Sequence, residues 1–559
     1  MRAGRRRPGA RAAVTAGAAL VLAAALAACG GGSVSSQANG SNKTLVVSTG
    51  ASGNFVDNFN PFSPEQQDPT RGMIYEPLYF FDTADAAQKT PWLATSYSFS
   101  NGGKTLTFDL RKGVEWSDGT PFTSADVAFT FNLIKNTAGL NAYGLPITSA
   151  TAEGAYTVVL DFSAPVYTDI YYIAGGTYML PEHIWKSVKD PATFLNQQPV
   201  GTGGYEVSKV SGSVMDLTAN PHYYLPGLPK FKTIQFLSFD GNTSSDLAIE
   251  EGQVDWAGNY IPQIDKNYLD KNSKYKLSDI PLGTEFLITN DKTGPTASVA
   301  VRKAISDAIN RALISNEVYQ GYASPTNPEA LLTPNFSNVI DPSLKGETLT
   351  YSVADARQTL EAAGYKLGGN GIFVSPSGTP LDISVQVIDG YTDYIQSLQL
   401  MVPELRQAGI DLTIATESSS EVVSNTDTGN FQIVIDPIGY TPSPYVYYNE
   451  LLNGSYIPPI GKVDAVGDWG RYNNPTVDAA LAAIAATNST SAALSDYYTI
   501  EQQFIKDMPL IPVFNQQDEQ EFNTSVVTGF PTTSDPYAAD AIYQPPDLGW
   551  VADRLTPAS

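Results

Sequence analysis

The sequence predicts an α/β protein with two or three packed units, on three observations. Its 559 residues can bury more than one core. The content is 42% hydrophobic and 11% aromatic, which is that of a folded chain. Apolar patterning of period two, concentrated in the first half, gives way to helix-then-strand order in the second.

In order, Leu45-Val46-Val47 reads as a short apolar strand opening the folded part. Residues Lys104 to Leu110 alternate polar and apolar, as a half-buried strand does. Asp118-Gly119, within Ser117–Thr120, is a tight-reversal signal. Thr123 followed three residues on by Asp126 fits a capping box, with Val127 to Ile134 continuing as helix. Tyr156 to Phe162 is a further strand. Val301, Ile305, Ala308 and Ala312 recur at helical spacing, widened by Ile309 and Leu313, with Arg302, Lys303 and Arg311 set off the stripe. Ser352–Ala363 is a helix stopped at Gly364, and Asp393–Ala408 one stopped at Gly409 before the strand Ile410–Ala415. There is no internal repeat.

The first residues carry targeting rather than fold. Met1–Arg11 is basic, Ala12–Ala28 is an uncharged run rich in Ala, Val and Leu, and small residues precede Cys29, the pattern of a secretory signal over residues 1–28. The run is shorter and less apolar than the ~20 residues of a membrane span. Leu26-Ala27-Ala28-Cys29 resembles the lipobox of bacterial lipoproteins, which implies acylation of Cys29 and anchoring at the outer face of the cell membrane. Residues 29–43, rich in Gly, Ser, Asn and Gln, read as a flexible tether.

Several function classes are excluded by composition. The formal charge is −24, and becomes −29 once a signal carrying five arginines and no acid is removed. Such a body repels nucleic acid. The lone Cys29 allows no intrachain disulfide, and two histidines, His183 and His222, cannot build a multi-histidine metal site. No Asp-x-Asp-x-Asp-Gly loop is present, so neither a metal nor a cofactor is expected. Gly201-Thr202-Gly203-Gly204 lacks the Lys-Ser/Thr of a phosphate loop. Trp116, Phe122 and Phe129 read as core aromatics.

An ordered series of blocks resembles the family 5 extracellular solute-binding proteins of ABC importers. It comprises Pro91–Ala94, Gly103–Val114, Trp116–Thr123 with Asp126-Val127, Pro199–Tyr205, Asn220–Tyr224, Gly252–Asp255, Val301–Ile305 with Ala308–Arg311, Ala363–Tyr365 and Met508–Pro512. The resemblance implies a two-lobe periplasmic-binding-protein-like fold (type II, cluster C). Residues 44–285 and 512–559 form lobe one, with an extra subdomain at about 80–199, and 286–511 form lobe two. The chain would cross near Phe286–Asn290 and return near Leu510–Phe514, so that the lobes hinge shut on a ligand.

The implied function is capture of oligopeptides or dipeptides by a monomeric, non-enzymatic lipoprotein, which delivers them to ABC permease subunits. An oligosaccharide ligand is the alternative. A secreted two-carboxylate glycoside hydrolase is the alternative from another class; its mark would be two carboxyls about 5–9.5 Å apart across a cleft. The expected cleft residues are Phe55, Asn58 and Phe59 after the first strand, then Asp436, Tyr440, Tyr445, Tyr447, Trp469 and Arg471. Aromatic faces with one guanidinium suit a sugar ring, or a peptide with its carboxylate. Peptide binders of this family often hold the α-ammonium on an aspartate in the segment equivalent to Tyr440–Pro444. That segment has no acid here, and Asp436 lies a few residues earlier.

Overall fold

The strand Thr44–Ser48 begins a ten-stranded mixed sheet in a computed structural model. The structure describes residues 44–559 except 51–52, 86–87, 334, 439–440, 464–466 and 533. The signal segment, Cys29, the tether and Tyr440 lie outside the described residues.

In one half of the sheet, Thr44–Ser48 runs parallel to Thr233–Leu237 and to Trp256–Ala257, and Val214–Ala219 and Tyr205–Ser211 extend it antiparallel. In the other, Asp382–Ile388 runs parallel to Asp411–Glu417 and to Ile433–Ile438. Two long antiparallel strands join the halves, Tyr275–Thr289 and Leu510–Asn523. The first pairs with Ile433–Ile438 through Thr284–Thr289, and the second with Trp256-Ala257 through Phe522 and Glu521.

The change of partners therefore falls between Leu277 and Thr284, where the pairing slips between Pro281 and Gly283. Proline has no N–H to keep a ladder in register, and such irregularities bend a strand. The crossings were expected near Phe286–Asn290 and Leu510–Phe514, and there Phe286 to Thr289 already pair with the strand Ile433–Ile438 of the second half. Phe286, Leu287 and Ile288 are all fully buried, the continuous apolar run of a strand covered on both faces.

A separate antiparallel sheet runs in the order Ala94–Ser100, Thr105–Leu110, Thr157–Phe162, Ile147–Ala152. Leu106, Phe108 and Leu110 point into its core, in line with the sequence alternation. The helix Ser124–Asn136 begins at the expected capping box, with Asp126 accepting from the Thr123 N–H at 2.9 Å. Trp116 and Phe122 are buried beside the Asp118-Gly119 turn, and Phe129 is partly buried. His183 pairs with Asp118 at 2.7 Å and His222 with Glu115 at 3.0 Å, both near the surface.

The glycines of 201–204 serve packing. A Cβ on Gly201 or Gly203 would overlap the carbonyls of Ile74 and Met73.

The helical stripe at 301–313 is broken into Val299–Asp307 and Arg311–Glu317, because Asn310 caps the second helix, accepting from the Leu313 N–H at 3.1 Å. Arg302 and Arg311, expected off the apolar face, are buried. Arg302 donates to the carbonyls of Met508, Thr296 and Asp507 and pairs with Asp291 at 3.2 Å. Arg311 donates to the carbonyls of Pro512 and Ser306. A guanidinium can satisfy several carbonyls at once, so Arg311 clamps its helix to the returning strand and Arg302 clamps its own to the residues just before that strand.

Candidate ligand-binding site

Parallel strands from both halves of the long sheet end at one cavity of about 330 Å³. Thr49 and Gly50 follow Thr44–Ser48, and Gly258, Asn259 and Tyr260 follow Trp256-Ala257. Ile388 closes Asp382–Ile388, while Asp436 and Pro437 lie near the end of Ile433–Ile438. Carboxyl ends of parallel strands are where open α/β sheets hold ligands.

The wall is acidic and aromatic. Asp393, Asp436 and Glu519 line it with five tyrosines, and among the described residues it holds no Lys, Arg or His. The Tyr319 hydroxyl donates to Asp393 Oδ2 at 3.3 Å, and Tyr319 packs edge-on to Tyr260 at 5.6 Å. Tyr391 and Tyr394 meet edge to face at 5.8 Å. Behind the wall lies Glu285, fully buried, with the Tyr394 hydroxyl beside its carboxyl.

Taking these carboxylates out of water favours their neutral forms. Burial pushes Asp436 up to about 7. Burial raises Asp393 to about 6, held back by hydrogen bonds from the backbone and the Tyr319 hydroxyl. Glu285 is pushed far above the usual carboxylate range, by burial first and by the charge of Asp436 second. An enclosure of carboxylates and tyrosine faces attracts a cation, through charge and through the ring quadrupoles.

Of the expected cleft residues, Asp436 lines this cavity. Tyr445 lies in the wall of a second cavity of about 870 Å³. The others, Tyr440 aside, are buried or half-buried against the protein's own residues. Phe59 is fully buried in the core, with Phe55 packed against the same core. Asn58 closes its own loop, its Oδ1 accepting from the Asn60 N–H at 3.2 Å and its Nδ2 donating to Ser63 at 2.9 Å. The Tyr447 hydroxyl donates to the Ala330 carbonyl at 2.8 Å. Trp469 is partly buried against the core. Arg471, fully buried, donates to the carbonyls of Trp469 and Asp427 at 2.7 and 2.8 Å. A guanidinium occupied in this way anchors a loop, and Arg471 lines neither cavity.

Sequence reasoning missed Tyr260, Tyr319, Tyr391, Asp393 and Glu519. Tyr391 and Asp393 were within reach, since they follow the Asp382–Ile388 strand as the 52–60 loop follows the first.

Among the described residues, no cluster of three or more His, Cys, Asp or Glu is placed to hold a metal ion, and no helix is long and apolar enough to cross a membrane.

Residues 88–457 match the model of the bacterial extracellular solute-binding proteins, family 5 (middle). The chain belongs to that family. It is similar to the nickel-binding periplasmic protein of Escherichia coli, 24% identical over 82% of this chain and 87% of the relative. Among solved structures it resembles a periplasmic oligopeptide-binding protein of an oligopeptide ABC transporter from Thermotoga maritima, crystallised with mannohexaose. That match has a TM-score of 0.83 at 23% identity, covering 93% of this chain and 99% of the other. An oligopeptide-binding protein of Bacillus subtilis in complex with a nonapeptide matches with a TM-score of 0.78 at 20% identity, over 93% and 99% of the two chains. The chain is thus a solute-binding protein of the ABC-transporter type with the two-lobe periplasmic-binding-protein fold.

Proposed function

We propose that this protein captures peptides by their α-ammonium group and passes them to an ABC permease, from the outer face of a membrane to which Cys29 anchors it. The single observation that carries the ligand reading is Asp436, a carboxylate on a small tyrosine-walled cavity with no basic side chain among its described residues. It meets the charge requirement that the Tyr440–Pro444 segment leaves unmet, since an enclosed ammonium needs a carboxylate partner or several acceptors. The nonapeptide bound by the Bacillus subtilis neighbour supports the same reading. The resemblance of Leu26–Cys29 to a lipobox supports the anchor.

The joining strands, Tyr275–Thr289 and Leu510–Asn523, are the proposed hinge. A ligand touching both halves of the sheet favours the closed form, and the permease distinguishes closed from open.

The test is thermal unfolding of the purified chain against free peptides and their N-acetylated counterparts. A ligand bound only to the folded state raises stability by RT ln(1 + [L]/Kd). Free peptides should raise the unfolding temperature, and acetylation should remove the shift. Equal shifts from acetylated peptides would overturn the ammonium reading. Cleavage of an incubated oligosaccharide would overturn the binding role in favour of a hydrolase.

A further inference from the structure

We propose that the second cavity is a binding site for neutral oligosaccharides, distinct from the acidic cavity and selective by opposite chemistry. It lies between the four-stranded sheet on one side and the starts of helices Pro444–Leu452 and Thr490–Asp507 on the other. At about 870 Å³ it falls within the ~300–1,000 Å³ range of small-molecule sites.

Eight of its described wall residues are aromatic, and nine others carry an uncharged hydroxyl or amide. The aromatic wall has a structural origin. Tyr97 and Phe99 are two apart on the edge strand Ala94–Ser100, so both rings stand on one face, with centroids 5.8 Å apart. Tyr167 continues the row at 5.0 Å from Phe99. Facing them are Tyr445, Asn488 and Thr490, with Asn488 and Thr490 solvent-exposed. The Thr168 and Tyr445 hydroxyls in this wall lie within hydrogen-bonding reach of each other. Each hydroxyl has one donor and two acceptor sites, so a pair of them keeps acceptor capacity for a ligand hydroxyl.

The sign of the charge separates ligand classes here. Among the described residues of the wall the charged side chains are Asp85 and Lys89, four residues apart, with Lys89 Nζ 5.6 Å from the Phe81 ring centre. A zwitterionic peptide would need opposite charges at its two ends. A sugar ring presents a C–H face to an aromatic face, and a rim of hydroxyls that both donate and accept, as amide and hydroxyl side chains do. A row of rings facing a row of uncharged polar groups matches a chain of such units.

The experiment uses the purified full chain and two linear neutral hexasaccharides, one α-1,4-linked and one β-1,4-linked, with affinity measured by calorimetry. At least one should bind. Asn488→Ala, a surface change, and Tyr97→Ala should each weaken it about tenfold or more, the cost of roughly 1.4 kcal/mol of lost contact. Both should leave free-peptide binding unchanged, and Asp436→Asn should leave sugar binding unchanged.

Absence of binding by both sugars at millimolar concentration would overturn the proposal. Binding that survives both wall changes would also overturn it, as would binding lost in Asp436→Asn or displaced by peptide, since the sugar would then occupy the acidic cavity. Failure of the peptide reading alone leaves these outcomes readable.

Discussion

The two cavities are built to opposite rules although one stretch of chain walls both. The smaller has three carboxylates and no basic side chain among its described residues, so it sorts by charge. The larger has aromatic rings and uncharged polar groups with one acid and one lysine, so it sorts by shape and hydrogen bonding. Asp436 and Pro437 end the strand at the first, and Pro442 to Tyr445 begin the helix at the second. Five residues are enough to change the selection rule, because a strand end and a helix start present their side chains to different spaces.

The largest expected effect falls on the acidic side. Asp436→Asn should weaken free-peptide binding by about a hundredfold or more, since breaking a buried charge pair costs roughly 3–5 kcal/mol. Calorimetry on this variant with peptide and with sugar breaks the comparison if both affinities fall together.

Arg471→Ala comes next, and it should act on folding, not on ligand. Removing a buried guanidinium that satisfies the Trp469 and Asp427 carbonyls costs about 2–4 kcal/mol, read as a lowered midpoint in denaturant. Unchanged stability with lost peptide affinity would return Arg471 to a cleft.

A smaller effect separates the cavities by pH. With Asp436 raised to about 7, its ionised form dominates only above that pH. Peptide affinity should therefore fall as pH drops below about 7, approaching tenfold per unit, while sugar affinity stays flat. A flat peptide profile between pH 5 and 8 would remove Asp436 from the site.

The smallest effect lies away from both cavities. Glu76 is fully buried and receives the Trp92 indole N–H at 2.7 Å, with burial and then Asp553 raising it to about 8. An acid raised in the folded state stabilises fully below its unfolded value of 4.5, and that contribution is lost as pH rises through about 8. The unfolding temperature should fall from pH 5 to pH 8, and Glu76→Gln should lessen the slope by a few degrees. An unaltered slope would show that Glu76 is ionised in the folded chain.

Local signals in the sequence were good guides to fold. The Thr123–Asp126 box, Gly364 and Gly409 mark element ends because each acts within a few residues, and the helices stop where they stand. Arg302 and Arg311 misled, because a long side chain on a helix can turn its charge inward when carbonyls from a distant strand are waiting. The cavity was less legible for a related reason. Thr49, Asn259, Tyr319, Asp393, Asp436 and Glu519 come from segments far apart, and no period links them. The aromatic richness of 440–448 was real, but a helix turns about 100° per residue, so Tyr445 faces a cavity while Tyr447 faces the core.

The helix Asp547–Arg554 gives the molecule a timetable. Trp550, in Asp547–Arg554, stacks on Phe80 at 4.5 Å and meets Trp92 edge-on at 4.8 Å, while Thr556-Pro557 pairs with Val527-Thr528. The larger core thus draws on residues from Leu45 to Leu555, whereas the buried residues of the second core all lie between Leu287 and Phe514. A ribosome delivers the second set complete while the first still lacks its closing tryptophan. The part made first is finished last, and for that interval its apolar face is an address for chaperones and a target for proteases. Truncation before Asp547 would therefore leave the oldest part of the protein unfinished.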